Sequence, residues 1–169
     1  MIQKKVCMVG VHGTGKTSLV HRFVHSRFSE RYLSTVGVKI DRKVVEIEGE
    51  SVTMILWDLA GRDKQEDINA NYLKGAHGIL YVADGTRKET CDQIGELQDI
   101  ARKAVGDVPS VIALNKSDLV EQWALRPQDE AKLKSLASVV RTSAKSGLGV
   151  EEAFRQLGAA TLRTGGARA

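Results

Sequence analysis

The chain has 169 residues, 42% hydrophobic and 27% charged, which suits one globular domain with a full core. No apolar run approaches the roughly 18 residues of a membrane span, and the start, Met1 to Lys5, lacks a signal-peptide apolar region, so a cytoplasmic location is expected. The net charge of +4 is modest and spread along the chain, so no nucleic-acid partner is expected, and two cysteines, Cys7 and Cys91, fit a reducing compartment better than a disulfide scaffold.

The elements alternate between strand and helix. Lys4 to Val9 reads as a strand. Lys16 to His25 reads as a helix, with Leu19, Val20, Phe23 and Val24 on one face. Lys39 to Ile47 is extended and turns through Glu48-Gly49-Glu50-Ser51 into Val52 to Trp57, which predicts a hairpin. A short helix is expected from Lys64 to Lys74. Gly78 to Ala83 is a continuous apolar run, as in a strand buried on both faces. Thr86 and Glu89 suggest a cap for a helix whose core face is Ile94, Leu97, Ile100, Ala101 and Ala104. Val111 to Leu114 is another buried strand. Pro127 suits the first turn of a helix carrying Ala131, Leu133 and Leu136. Val139 to Thr142 is a short strand, and the last helix shows Val150, Ala153, Phe154 and Leu157. The sum is an α/β fold: a mostly parallel six-stranded sheet with one antiparallel edge strand and helices on both faces, a single domain over 1–169.

The segment with the most specific chemistry is Gly10-Val11-His12-Gly13-Thr14-Gly15-Lys16-Thr17, followed by Ser18. It is a G-x-x-x-x-G-K-[ST] phosphate loop between a strand and a helix. Glycines let successive backbone N–H groups turn inward onto phosphate oxygens. Lys16 brings a positive charge for the β- and γ-phosphates, and Thr17 a hydroxyl for Mg²⁺. The start of the helix adds its dipole. His12, Gly13, Thr14, Gly15, Lys16, Thr17 and Ser18 are the candidate nucleotide-binding residues of this segment.

Ligands of such sheets bind beyond the carboxyl ends of the strands. After the third strand, Asp58 is placed to hold Mg²⁺ opposite Thr17, and the backbone N–H of Gly61 to approach a terminal phosphate. After the fifth strand comes Asn115-Lys116-Ser117-Asp118. A carboxylate accepts two hydrogen bonds side by side, and guanine offers N1–H and N2–H₂ in that arrangement, whereas adenine does not. Asp118 therefore selects guanine, with the stem of Lys116 available to cover the base. After the sixth strand, a backbone N–H of Ser143-Ala144-Lys145 is placed for the guanine O6.

This ordered set, with Thr35 between the first two motifs, resembles the Ras-like small GTPases, which are P-loop NTPases. Ser34-Thr35-Val36-Gly37-Val38 and Lys74-Gly75-Ala76-His77-Gly78-Ile79 are most similar to the Rab branch, and the resemblance runs from Lys4 to about Leu162. It implies GTP/GDP and Mg²⁺ as ligands, with Thr35 joining Mg²⁺ only when the γ-phosphate is present. It also implies that Phe28 packs on the base, that Tyr32 covers the phosphates, and that residues around 29–40 and 59–74 are switch segments. An effector, an exchange factor and an activating protein are implied as partners, and nothing demands more than a monomer.

Three departures stand out. The family usually places a water-orienting Gln where this chain has Arg62, and a guanidinium only donates hydrogen bonds. Arg62 is either a solvated surface arginine or a charge stabiliser for the phosphoryl oxygens, and slow hydrolysis is expected. Lys16, Thr35, Gly61 and Arg62 are the candidate catalytic residues. His12 either crowds an incoming arginine finger or points to solvent. Thr164 to Ala169 holds no cysteine to prenylate, so no direct lipid anchor is expected, and any membrane recruitment is through a partner. The function expected is a slow GTP-hydrolysing molecular switch. A non-hydrolysing GTP-binding interaction module is the alternative.

Overall fold

A computed structural model describes residues 2–28, 37–59 and 70–167, of which 165–167 are described by backbone alone. In chain order the elements are β1 (Ile2–Val9), α1 (Lys16–His25), β2 (Val38–Ile47), β3 (Glu50–Leu59), α2 (Ala70–Leu73), β4 (Gly78–Asp84), α3 (Lys88–Asp92), α4 (Ile94–Val105), β5 (Ser110–Asn115), α5 (Pro127–Lys134), β6 (Ser138–Arg141) and α6 (Val150–Ala167). The six strands form one sheet in the order β2-β3-β1-β4-β5-β6. Only the edge pair β2·β3 is antiparallel, and the other four pairings are parallel.

The hairpin forms because Glu48 and Gly49 both take left-handed backbone, with φ of 52° and 80°. That geometry matches the twist of the flanking strands, and glycine adopts it without a Cβ penalty. The seven residues of β4 are all buried, as its apolar run requires. Strand side chains alternate between faces, and the core divides accordingly. Val6, Met8, Met54, Leu80, Val82 and Ala113 meet Leu19, Val20 and Phe23 of α1 and Phe154 and Leu157 of α6 on one face. Cys7, Val9, Ile79, Tyr81, Ile112 and Leu114 meet Leu73, Ile94, Leu97, Ala101 and Leu133 on the other. On the first face Phe23 and Phe154 stack with ring centroids 4.1 Å apart.

The structure corrects four local expectations. Thr86 does not cap a helix: its N–H and hydroxyl both donate to Asp84 Oδ1, at 2.8 and 2.6 Å, and Arg87 takes the N-cap position of α3. Where one helix was expected there are two, α3 and α4, meeting at Gln93. On α4, Ile94, Leu97 and Ala101 are buried as expected, but Ile100 and Ala104 only partly, while Gln98 is buried and donates to the Leu136 carbonyl at 3.1 Å. On α5, Leu133 is buried and Ala131 exposed. Of the helix expected over 64–74, only α2 lies within the described residues.

Cys7 and Cys91 are buried free thiols. Burial pushes their pKa values up to about 12 and about 11, so both behave as small apolar side chains. Among the described residues no helix is long and apolar enough to cross a membrane.

Candidate functional site

The strand order reverses at β1, which lies between β3 and β4. In an open α/β sheet that is where a crevice opens beyond the carboxyl ends of the strands. The loop 10–15 leaves β1 at this point and leads into α1. Gly13 and Gly15 take positive φ of 79° and 103°, and a Cβ at Gly15 would overlap the Asn115 amide nitrogen. A Cβ at Gly10 would likewise overlap the Val82 carbonyl. These glycines are therefore required by backbone conformation and by close approach. Thr14 is fully buried, and its hydroxyl donates to the Val11 carbonyl at 3.0 Å, closing the loop.

Lys16 curls back over this loop. Its Nζ donates to the carbonyls of Gly10 at 2.9 Å and Val11 at 3.0 Å, and the residue is only 6% exposed. Burial lowers its pKa to about 8; the Asp58 carboxylate opposes that shift, and the Arg87 charge adds to it. Beside it, the Thr17 hydroxyl donates to Asp58 Oδ2 at 2.5 Å. A hydroxyl and a carboxylate side by side are hard oxygen donors of the kind Mg²⁺ takes. The described residues contain no cluster of three or more His, Cys, Asp or Glu fit for a metal. That donor set suits a cation shared with a phosphate ligand better than a cage built from protein alone.

The turns after β5 and β6 form the far wall. Asn115 is buried and bridges three segments: its Nδ2 donates to the Thr14 carbonyl at 3.0 Å, and its Oδ1 accepts from Thr142 Oγ1 at 3.0 Å. Lys116 sits in left-handed backbone, φ 66°. Its Nζ reaches the Gly13 carbonyl at 3.0 Å and Asp84 Oδ2 at 2.9 Å, which anchors the ammonium. Asp118 Oδ1 accepts from Ser143 Oγ at 2.8 Å, which orients the carboxylate. The Ser143 N–H donates to the Leu148 carbonyl at 2.9 Å, so this residue serves the wall through its side chain. The expectation of a backbone N–H for guanine O6 then falls on Ala144 and Lys145. Arg22 of α1 donates from Nε to the Ala144 carbonyl at 2.7 Å and from Nη2 to the Lys145 carbonyl, and so fixes that loop. Phe28 is half-buried against the core face that also holds Ala144.

His12 and Gly13 are exposed at the rim, and Ser18 is half-buried on α1. Tyr32, Thr35, Gly61 and Arg62, with most of both expected switch segments, lie outside the described residues. Four residues of the site were not legible from motifs: Arg22, Asp84, Arg87 and Thr142. Asp84 is 1% exposed at the end of β4 and holds Lys116, Thr86 and the Arg87 Nε, the last at 3.2 Å. Burial alone would raise its pKa, but hydrogen bonds from Thr86 and Lys116 and the Lys116 charge hold it below the ordinary value. The signal that finds it is its place as the last residue of β4, at the carboxyl end of a strand.

Comparison with known proteins agrees with this geometry. The family model described as Ras family matches residues 5–163. The Ras-related protein Rab-1 of Theileria annulata is 39% identical over 155 residues, covering 89% of this chain and 70% of that protein. The GTP-binding protein ypt1 of Schizosaccharomyces pombe is 34% identical over 153 residues, covering 89% and 75%. Rab-1A of Dictyostelium discoideum is 36% identical over 156 residues, covering 89% and 76%. With its phosphate loop, its guanine-type turn and its sheet order in place, the chain belongs to the Ras family of small GTPases, on the Rab branch, whose members bind GTP or GDP with Mg²⁺.

Proposed function

We propose that residues 1–169 form one domain that works as a Mg²⁺-dependent GTP/GDP switch and hydrolyses GTP slowly. The observation that supports this best is the wiring of the base-reading turn to the phosphate loop. Asn115 holds the Thr14 carbonyl and Lys116 the Gly13 carbonyl, each at 3.0 Å, so base and phosphate recognition share one rigid frame.

In this reading Asp118 accepts from the guanine N1–H and N2–H₂ while Ser143 steadies it, and Ala144 or Lys145 donates to O6. Lys16 leaves its loop carbonyls for the β- and γ-phosphates, with loop N–H groups from Gly13 to Ser18 around them. Thr17, Asp58 and Thr35 hold Mg²⁺, which supplies charge that offsets the phosphates. Phe28 packs on the base, Tyr32 covers the phosphates, and the Gly61 N–H meets the γ-phosphate. The segments near 29–40 and 59–74 then order with GTP and relax with GDP, and an effector reads the difference.

Arg62 is the reason for a slow rate. A water-orienting residue at that place must accept as well as donate, and a guanidinium cannot accept. His12 at the exposed rim adds bulk where an activating arginine would enter. These two residues favour, as a second reading, an interaction module that holds GTP without hydrolysing it. The partners are an effector, an exchange factor and an activating protein, and the protein acts as a cytoplasmic monomer.

Single-turnover assay of GTP-loaded protein with Mg²⁺, with and without Arg62→Gln, decides between the readings. GDP forming slowly, and faster in the variant, supports the switch. GTP retained with no GDP formed supports the module. Conversion of ATP in place of GTP overturns both.

A further inference from the structure

Three consecutive loop carbonyls are each taken by a side chain from outside the loop. Arg87 Nη2 donates to His12 O at 2.8 Å, Lys116 Nζ to Gly13 O at 3.0 Å and Asn115 Nδ2 to Thr14 O at 3.0 Å. In a planar trans peptide the C=O and the following N–H point in opposite directions. Each held carbonyl therefore turns the N–H of Gly13, Thr14 or Gly15 to the opposite, concave side of the loop. Such a run of converging N–H groups is an anion nest.

Two of these three side chains, Asn115 and Lys116, belong to the end of β5 and the turn that follows it. Arg87 does not: it comes from the N-cap of α3, 75 residues from His12. It is tied in place by Asp84, whose Oδ2 receives Arg87 Nε at 3.2 Å and Lys116 Nζ at 2.9 Å. One buried carboxylate thus holds two cations, and each passes a further hydrogen bond on to the loop. We propose that Arg87 is a positioning residue for nucleotide retention: it fixes the His12–Gly13 peptide so that the Gly13 N–H faces the bound phosphates. This rests on the GTP/GDP-binding reading and requires no contact between Arg87 and nucleotide.

The test is release of N-methylanthraniloyl-GDP into excess GDP with Mg²⁺, for the wild type, Arg87→Ala, Arg87→Gln and Arg87→Lys. Loss of one partly exposed, charge-assisted hydrogen bond predicts release about five- to twentyfold faster in the Ala and Gln variants. Arg87→Lys keeps a charged donor and should return release to within about threefold of wild type on the same grounds. The Gly13 amide signal in ¹H–¹⁵N spectra of the GDP form should move in the Ala and Gln variants and stay near its wild-type position in the Lys variant. Release within about twofold of wild type in both Ala and Gln variants overturns the role of Arg87 alone. So does faster release with an unmoved Gly13 amide, which marks general loosening of the fold. A wild type that does not retain labelled GDP overturns the binding reading as well.

Discussion

The Thr17 hydroxyl, in the first turn of α1, donates to Asp58 Oδ2 near the end of β3 at 2.5 Å, across 41 residues of chain. Both are hard oxygen donors, and they meet beside the Lys16 ammonium. If this pair holds Mg²⁺, chelation should speed nucleotide release from the wild type by an order of magnitude or more. Thr17→Ala should release GDP quickly with Mg²⁺ present and respond to chelator by less than about threefold, since one ligand is already lost. Fluorescent-GDP release with and without EDTA measures both. An equal chelator response in wild type and variant rules out this pair as the Mg²⁺ site.

Asp118 is steadied by Ser143 at 2.8 Å and, in the proposed reading, accepts from the guanine base. Asp118→Asn replaces an acceptor by a donor, which opposes the guanine N2–H₂ and suits the C2 carbonyl of xanthine. The affinity for GDP should fall by about 10- to 100-fold or more, because an amide donor then faces the guanine donor. The affinity for xanthosine diphosphate should rise. Competition binding with the two diphosphates reads the reversal, and GDP preference retained in the variant argues against Asp118 as the base reader.

Gly85 follows β4, and a Cβ there would overlap the Trp123 ring. Gly85→Ala should cost about 1–3 kcal/mol through overpacking. For a chain of this length that lowers Tm by roughly 2–4 °C per kcal/mol. Trp123→Leu in the same chain makes room and should recover part of the loss. Thermal melts of the single and double variants check this, and equal Tm values for wild type and Gly85→Ala refute it.

The carboxylate of Asp84 has its pKa held below the ordinary 3.8 in the folded state. The charged form is thus favoured by folding, and its contribution is complete above the unfolded value. That contribution is lost as pH falls through the lower folded value. Asp84→Asn leaves Lys116 and Arg87 without their shared counter-charge, a cost of about 1–3 kcal/mol. The stability gap between wild type and variant should be level above about pH 5 and should close below about pH 4. Urea unfolding from pH 3 to pH 7 measures the gap, and a gap that persists unchanged at pH 3 contradicts the assignment.

The legible parts of the site are those whose chemistry lies within a few residues. Gly10 to Thr17 announces itself because a backbone that curls around phosphate needs glycine at fixed offsets. The motif from Asn115 to Asp118 is found because it sits at the end of a buried strand. The hairpin shows as a turn through Glu48-Gly49-Glu50-Ser51 between two extended runs, and the structure narrows it to Glu48-Gly49 by pairing Glu50 and Ser51 with β2. Arg87 and Arg22 were invisible by the same reasoning. An arginine on a short helix or an amphipathic one reads as a solvated side chain until the carbonyl it reaches is known. Thr86 misled because a threonine three residues before a glutamate matches a cap, whereas the nearer Asp84 takes its donors.

The sequence by itself determined the alternation of strands and helices, the phosphate loop, the guanine-type turn and hence the family. These depend on side-chain period and on backbone conformation, both of which are local. Only the tertiary structure decided which distant side chains hold the loop open: Arg87 on His12, Lys116 on Gly13, Asn115 on Thr14 and Arg22 on the loop after β6. Those bonds join residues 75 to 122 positions apart, and no periodicity links such positions. The order of strands in the sheet brings them together.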